Sequence, residues 1–201
     1  MGFETPTGDE LRRGASGWGR FLAVAFVDDP FMSWLFGSSA RLVEHLAGYY
    51  RRDVQHRLAS QAHAVVEPGR GIAFWHPPGQ AGVSPRVQRA IMPAFIPAAI
   101  RHPWRTRRAA MVTRSLLASH PTEPHWYLSH LAVAPDARRQ GLGRALVDAG
   151  VALATQAGVG AYLETANPAN LPLYRRAGFD EVGCVALDDV PPVWQLWRPY
   201  S

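Results

Sequence analysis

The chain has 201 residues, 47% of them hydrophobic, with one cysteine and a formal charge of +5. That length and apolar content suit one globular domain over residues 1–201, no apolar run approaches a membrane span, and no secretory leader pattern opens the chain. Cys184 alone excludes an intramolecular disulfide and fits a reducing, cytoplasmic setting; the basic residues, all arginine, lack the aromatic interleaving of a nucleic-acid platform, so neither nucleic acid nor membrane is an expected partner.

Residues 1–8 read as a frayed end and Asp9 to Arg13 as a short edge strand. Ser16 is placed to cap a helix with the stripe Trp18, Phe21, Leu22, Ala25 and Phe26, which Asp28-Asp29-Pro30 ends. Phe31 to Phe36 forms a short aromatic helix or turn. After Gly37-Ser38-Ser39, a longer helix carries Leu42, Leu46, Tyr50, Val54 and Leu58 at every fourth residue. His63 to Val66 and Gly71 to Trp75 flank Glu67-Pro68-Gly69-Arg70 as a hairpin. Ser84 to Ser119 has helical length interrupted at Pro85, Pro93, Pro97 and Pro103, and reads as two helices with a solvated arginine face.

The segment Pro124 to Ala145 follows a different grammar. An aromatic and apolar strand, Trp126 to Val133, closes at Ala134-Pro135-Asp136. The turn Arg138-Arg139-Gln140-Gly141-Leu142-Gly143 then opens a helix with Leu142, Ala145, Leu146, Ala149 and Leu153 on one side. A helix start offers unpaired N–H groups, glycines let an anion approach, and the arginines add charge-assisted donors, so a phosphate belongs here. A dinucleotide fingerprint needs a third glycine where Leu146 stands, and a Walker loop needs a lysine, of which the chain has none. Beyond this helix come a strand, Val159 to Thr165, and a short helix from Asn167-Pro168 to Arg176 that Gly178 stops. A closing antiparallel pair, Glu181 to Leu187 and Val193 to Trp197, completes a mixed sheet of α/β (α+β) class.

Arg-x-x-Gly-x-Gly after a strand ending Leu131-Ala132-Val133-x-Pro135 resembles the acetyl-CoA signature of the GCN5-related N-acetyltransferases (GNAT). Asn170-x-x-x-Tyr174-x-x-x-Gly178-Phe179 after a strand is similar to the second half of the same family. Glu123-Pro124, Leu163-Glu164-Thr165 and Asn170-Leu171-Pro172-x-Tyr174 further resemble the puromycin N-acetyltransferase-like bacterial branch. The resemblance implies the GNAT fold, a central mixed sheet flanked by helices, and acetyl-CoA as the acetyl donor. It also implies pantetheine contacts from the main chain of Leu131, Ala132 and Val133, with the Val133 N–H polarising the thioester. The pyrophosphate would lie on the turn formed by Arg138, Arg139, Gln140, Gly141, Leu142, Gly143, Arg144 and Ala145. Asn170 would bond the arm, and Tyr174 would protonate the leaving thiolate.

The departures bear on substrate. Many members have glycine where Arg139 stands. Members that acetylate histone lysines carry a glutamate base six residues before Val133, and here that residue is Tyr127. Glu164 or His130, acting through water, are the remaining bases, with Glu164 chosen here. Asp29 replaces a tyrosine of the puromycin-type relatives and either pairs with a cationic amine or ends its helix in solvent. Trp34, Trp75 and Tyr127, with His130, either wall the substrate pocket or belong to the core. No metal-ligand spacing is present. The implied activity is acetylation of a small-molecule, antibiotic-like amine by a monomer or homodimer. The alternatives are a protein N-terminal or lysine acetyltransferase and a non-catalytic acyl-CoA-binding module.

Overall fold

The computed structural model describes residues 2–37, 41–80 and 84–200, so Met1, the Ser38-Ser39 break and the final serine lie outside it. Among the described residues six strands form one sheet in the order β1-β2-β3-β4-β6-β5. They are β1 His63–Glu67, β2 Gly71–His76, β3 His125–Val133, β4 Gly160–Thr165, β5 Asp180–Val185 and β6 Val193–Arg198. Only β3 and β4 are parallel, so the sheet is mixed, as expected.

The first helices are α1 Gly8–Arg13, α2 Ala15–Ala25, α3 Pro30–Phe36 and α4 Leu42–Asp53, the last continuing through a π turn, Val54–Leu58, into α5 Ala59–Gln61. After the β1–β2 hairpin come α6 Pro85–Ile91, a 3-10 turn Met92–Phe95, α7 Ile96–Arg101 and α8 Pro103–Ala118. α9, Leu142–Gln156, is the crossover from β3 to β4, and α10, Leu171–Arg176, follows β4. None of these helices is long and apolar enough to cross a membrane.

Several local expectations change. Asp9 to Arg13 is helical, because Thr7 and Glu10 form a capping box: the Glu10 N–H donates to Thr7 Oγ1 at 3.3 Å and the Thr7 N–H to Glu10 Oε2 at 2.7 Å. The N-terminal segment is held rather than frayed, since Glu4 and Val66 exchange main-chain bonds of 2.8 and 2.9 Å. Ser16 lies inside α2, whose N-cap is Gly14. Asp29 does not end a helix in solvent; it caps α3, its Oδ1 accepting the Met32 N–H at 2.9 Å. The prolines after Ser84 begin helical turns rather than break them: Pro85 and Pro103 open α6 and α8, and Pro97 is the second residue of α7.

The sheet separates two apolar layers. Ile72 and Phe74 face α2 and α4, while Ala73 and Trp75 face α9. Trp75 fits because α9 carries Gly150 above it, where a Cβ would lie 1.9 Å from the indole. β3 and β4 pair only over His125–Leu128 against Gly160–Leu163. Opposite β2, the register jumps from His130 facing Phe74 to Leu128 facing Trp75, so Ser129 is an unmatched bulge residue that bends β3. Beyond this point the strands fork, and Glu164 is the first residue past the fork on β4.

Candidate active site

The fork opens into a cleft of about 730 Å³. The α2–α3 connection (Ala25, Phe26, Asp28, Asp29), strand residues Leu131 to Val133, the turn (Arg138, Arg139, Gly141, Gly143, Arg144) and the α10 side (Asn167, Ala169, Asn170, Leu173, Arg176) line it.

At the turn, the N–H groups of Arg139 through Arg144 have no acceptor among the described residues; the first helical bond is from Ala145 N–H to Gly141 O at 3.0 Å. This run of unpaired donors stands at the positive end of α9, an arrangement that suits an anion. Ala145 is excluded from it, because its N–H is already bonded, and the Leu142 side chain is buried in the core so that only its N–H can serve. Gly141 caps α9 with φ 82°, and Arg139 has φ 59°. The left-handed backbone at Arg139 explains why glycine suits that position.

The turn's side chains brace its surroundings. Arg138 donates to the carbonyls of Ala25 at 3.1 Å and Val133 at 3.4 Å, joining the turn to the end of α2. Gln140 accepts from Arg70 at 2.8 Å and donates to the Asp136 carbonyl at 2.7 Å. Arg144 pairs with Asp148 at 2.7 Å and donates to the Arg176 carbonyl, which ties α9 to α10.

On the strand, the Ala134 N–H bonds Arg70 O at 2.8 Å, toward the hairpin. By the alternation of an antiparallel ladder, the main-chain groups of Leu131 and Val133 then point to the open side. Tyr174 is buried, edge-on to Phe179. Burial, and then the charge of Asp29, push its phenol well above the ordinary value. Asp29 itself is raised by burial, against the lowering effect of the Met32 and Phe31 N–H groups.

A second polar assembly occupies the sheet face toward the N-terminal helices. Tyr127 lies opposite Tyr162, placing both phenols beside Glu164 two residues on. Glu164 accepts from Tyr162 at 3.0 Å and Tyr127 at 3.4 Å, and Gln195 donates to the Tyr162 hydroxyl at 2.7 Å. Burial, and then the Glu164 charge, raise the Tyr127 phenol far above its usual range. Deeper in, Asp53 and Arg57 form a buried bidentate pair at 2.6 and 2.7 Å. His130 sits 3.6 Å from Asp53, and its Nδ1 and the His76 Nε2 meet the Ser129 hydroxyl at 3.1 and 3.0 Å. Burial lowers His130 to about 4 and His76 to about 3, so both are neutral at pH 7.

Four expected pocket residues belong elsewhere, the first of them Tyr127, which bonds Glu164 behind the cleft. His130 is 9% exposed and enclosed by Phe26, Tyr50 and Phe74, because the Ser129 bulge turns it onto α4. Trp75 is fully buried against α9, on the opposite face of the sheet. Trp34 packs on Phe31 and Trp104, outside the cleft, with Arg105 donating to its carbonyl at 2.7 Å. Sequence reasoning missed Phe26, Leu173 and Arg176 in the cleft and the Asp53–Arg57 pair behind it. The one available signal for that pair was an acid and a base four residues apart inside an otherwise apolar stripe.

Residues 100–179 match the model of the Acetyltransferase (GNAT) family. Among solved structures, the chain is similar to a Corynebacterium glutamicum protein described as histone acetyltransferase HPA2 and related acetyltransferase, with TM-score 0.67, 22% identity and coverage of 100% of this chain and 98% of that one. It is also similar to arylalkylamine N-acetyltransferase 2 from Aedes aegypti (TM-score 0.58, 12% identity, 100% and 99% covered). A third is the NatC complex bound to Gag peptide and CoA (TM-score 0.52, 14% identity, 100% and 98% covered). The family model thus matches the segment that holds the fork, turn and α10, and the solved acetyltransferase structures share the fold of the whole chain.

Proposed function

We propose that this enzyme acetylates the amine of a small molecule by direct attack on acetyl-CoA, without an acyl-enzyme. The observation that carries the reading is the fork itself, with unpaired N–H donors at one end; Glu164, the first β4 residue past the paired seam, stands behind the residues that line the cleft. Acetyl-CoA supplies an activated thioester acetyl group when bound. Its phosphates fit the donors from Arg139 to Arg144, and its pantetheine arm fits the outward main-chain groups of Leu131 and Val133, with Asn170 alongside. The Val133 N–H is placed to stabilise negative charge on an acyl oxygen. Tyr174, its acidity suppressed by burial and by Asp29, remains protonated at working pH. Full proton transfer to a thiolate of pKa about 8.5 is therefore uphill, and its role is to donate a hydrogen bond to the leaving sulfur.

Glu164 acts as the base, accepting the ammonium proton so that the neutral amine attacks. Its side chain is 17% exposed and enclosed by Tyr127, Tyr162 and His120, a recess that suits a slender amine. Asp29 selects cationic acceptors. Asn also caps a helix, so Asp29→Asn keeps the fold and raises KM a few-fold for dicationic amines while sparing monoamines. The test is a coenzyme A release assay over a panel of small primary amines, N-terminal peptides and lysine peptides. Turnover of small amines is expected. Turnover of peptides alone would transfer the reading to a protein acceptor, and tight coenzyme A binding without any turnover would leave a binding module.

A further inference from the structure

The loop between α8 and β3 brings two histidines to Glu164, and their hydrogen bonds define their tautomers. His125 Nδ1 lies 2.6 Å from the Glu123 carbonyl, which can only accept, so Nδ1 carries the proton. His125 is buried, and burial lowers its pKa, so the ring is neutral and its Nε2 is a bare acceptor. His120 Nε2 stands 3.1 Å from that nitrogen and must donate to it. The remaining nitrogen of neutral His120, Nδ1, is then unprotonated, and it faces Glu164 Oε1 at 3.9 Å. His120 is 23% exposed and Glu164 17%, so the imidazole that faces the carboxylate is the more open of the two to water. Around His120 the ionisable groups are Glu164, His125, Tyr127 and Tyr162, the last three in ring contact at 5.0, 5.3 and 4.9 Å. Ser119, one residue before, is fixed by Gln195 at 2.8 Å, which also holds Tyr162.

We propose that His120 is the proton exit of the acceptor site, held in the receptive tautomer by His125. This rests on Glu164 as the base. The ammonium gives its proton to the Glu164 carboxylate, leaving a neutral amine and a carboxylic acid. The acid passes the proton to His120 Nδ1, regenerating the carboxylate beside an imidazolium, and the imidazolium releases it to solvent. Each transfer moves one proton, and the final state restores both side chains. His120 touches no reacting atom and is a positioning residue for this path. The 3.9 Å separation is longer than a direct hydrogen bond, so the transfer requires the partly exposed ring to move toward the carboxylate.

The test has a spectroscopic and a kinetic arm. With histidine-¹⁵N-labelled protein, long-range ¹⁵N–¹H spectra should show neutral His125 as the Nδ1–H form and neutral His120 as the Nε2–H form. Glu164→Gln should shift the ¹⁵N resonance of His120 Nδ1, the nitrogen that faces the carboxylate. His120 as the Nδ1–H form, or an Nδ1 resonance unmoved by Glu164→Gln, overturns the proposal without any substrate. In the kinetic arm 2-phenylethylamine serves as acceptor. His120→Gln should lower kcat/KM about tenfold at neutral pH and recover as the amine deprotonates unaided, a fraction of the usual general-base effect. Exogenous imidazole should restore His120→Ala but not Glu164→Gln. A displaced pH profile for Glu164→Gln beside an unaltered one for His120→Gln removes the exit and keeps the base. Two unaltered profiles remove Glu164 as base and the exit with it.

Discussion

The two ends of the fork are built by opposite means. At the turn, consecutive residues from Arg138 to Arg144 form one end of the cleft, and the N–H groups of Arg139 to Arg144 have no partner among the described residues. Behind the fork, Asp53, Arg57, Ser129, His76 and Glu164 come from α4, the π turn, β3, β2 and β4, and each makes at least one side-chain bond, the His76 Nδ1 alone among their named atoms lacking a partner. Solvent reaches the turn, so its donors can wait for an anion at little cost. The region behind the fork is buried, where an unpaired polar group costs several kcal/mol, so its groups are paired with one another before any ligand arrives, with the His76 Nδ1 as the exception. A binding site can stay unsatisfied only where water stands in.

The largest expected effect comes from breaking the buried side. Asp53→Ala leaves Arg57 charged and unpaired among apolar neighbours and should cost about 3–5 kcal/mol in urea unfolding. Stability equal to wild type would mean the pair is not integral to the fold. At the other end, Gly143→Asp sets a negative charge among the free donors and should weaken coenzyme A binding about 100-fold by calorimetry. Gly143→Ala is the control, since its Cβ meets only Val133 and Leu173 side chains at 3.6 and 3.8 Å. Equal affinity for the Asp variant would place the phosphates elsewhere.

Tyr174→Phe tests the point between the two ends. Loss of one hydrogen bond to the leaving sulfur should reduce kcat about 10- to 100-fold with cofactor affinity kept, and an unaltered kcat would assign that role to water. The smallest effect is on acid stability. His130 and His76 have folded values of about 4 and 3, below the unfolded value of about 6.5. The unfolded chain therefore binds protons that the native one refuses, and stability falls as pH drops from about 6.5 toward 4. His130→Gln should flatten the slope of Tm across that interval, and superimposable slopes would show that His130 is not the source.

Legibility followed the same division. Strand, turn and helix from Trp126 to Leu153 could be read because their period and turn residues are contiguous. Trp75 could not be placed, because all six residues of β2 are buried and no polar alternation marks its faces. The Ser129 bulge, which rotates His130 away from the cleft, leaves no sequence mark, and Glu164 joins Tyr127 only through the β3–β4 register. The error at Asp9 to Arg13 had a remedy in plain sight, the Thr7-x-x-Glu10 cap. At Arg139, by contrast, a non-glycine residue in left-handed backbone is a tertiary fact.

Mechanically, the sheet is two plates joined along four residue pairs, His125–Leu128 with Gly160–Leu163, and overlaid by α9. Below the fork the plates can splay about that short seam. Any occupant that bonds the free edge of β3 and also reaches α10 acts as a rivet across them. The stiffness of the whole sheet is then a property of the loaded protein, and amide exchange along β3 and β4 becomes a gauge of occupancy far from where the phosphates sit.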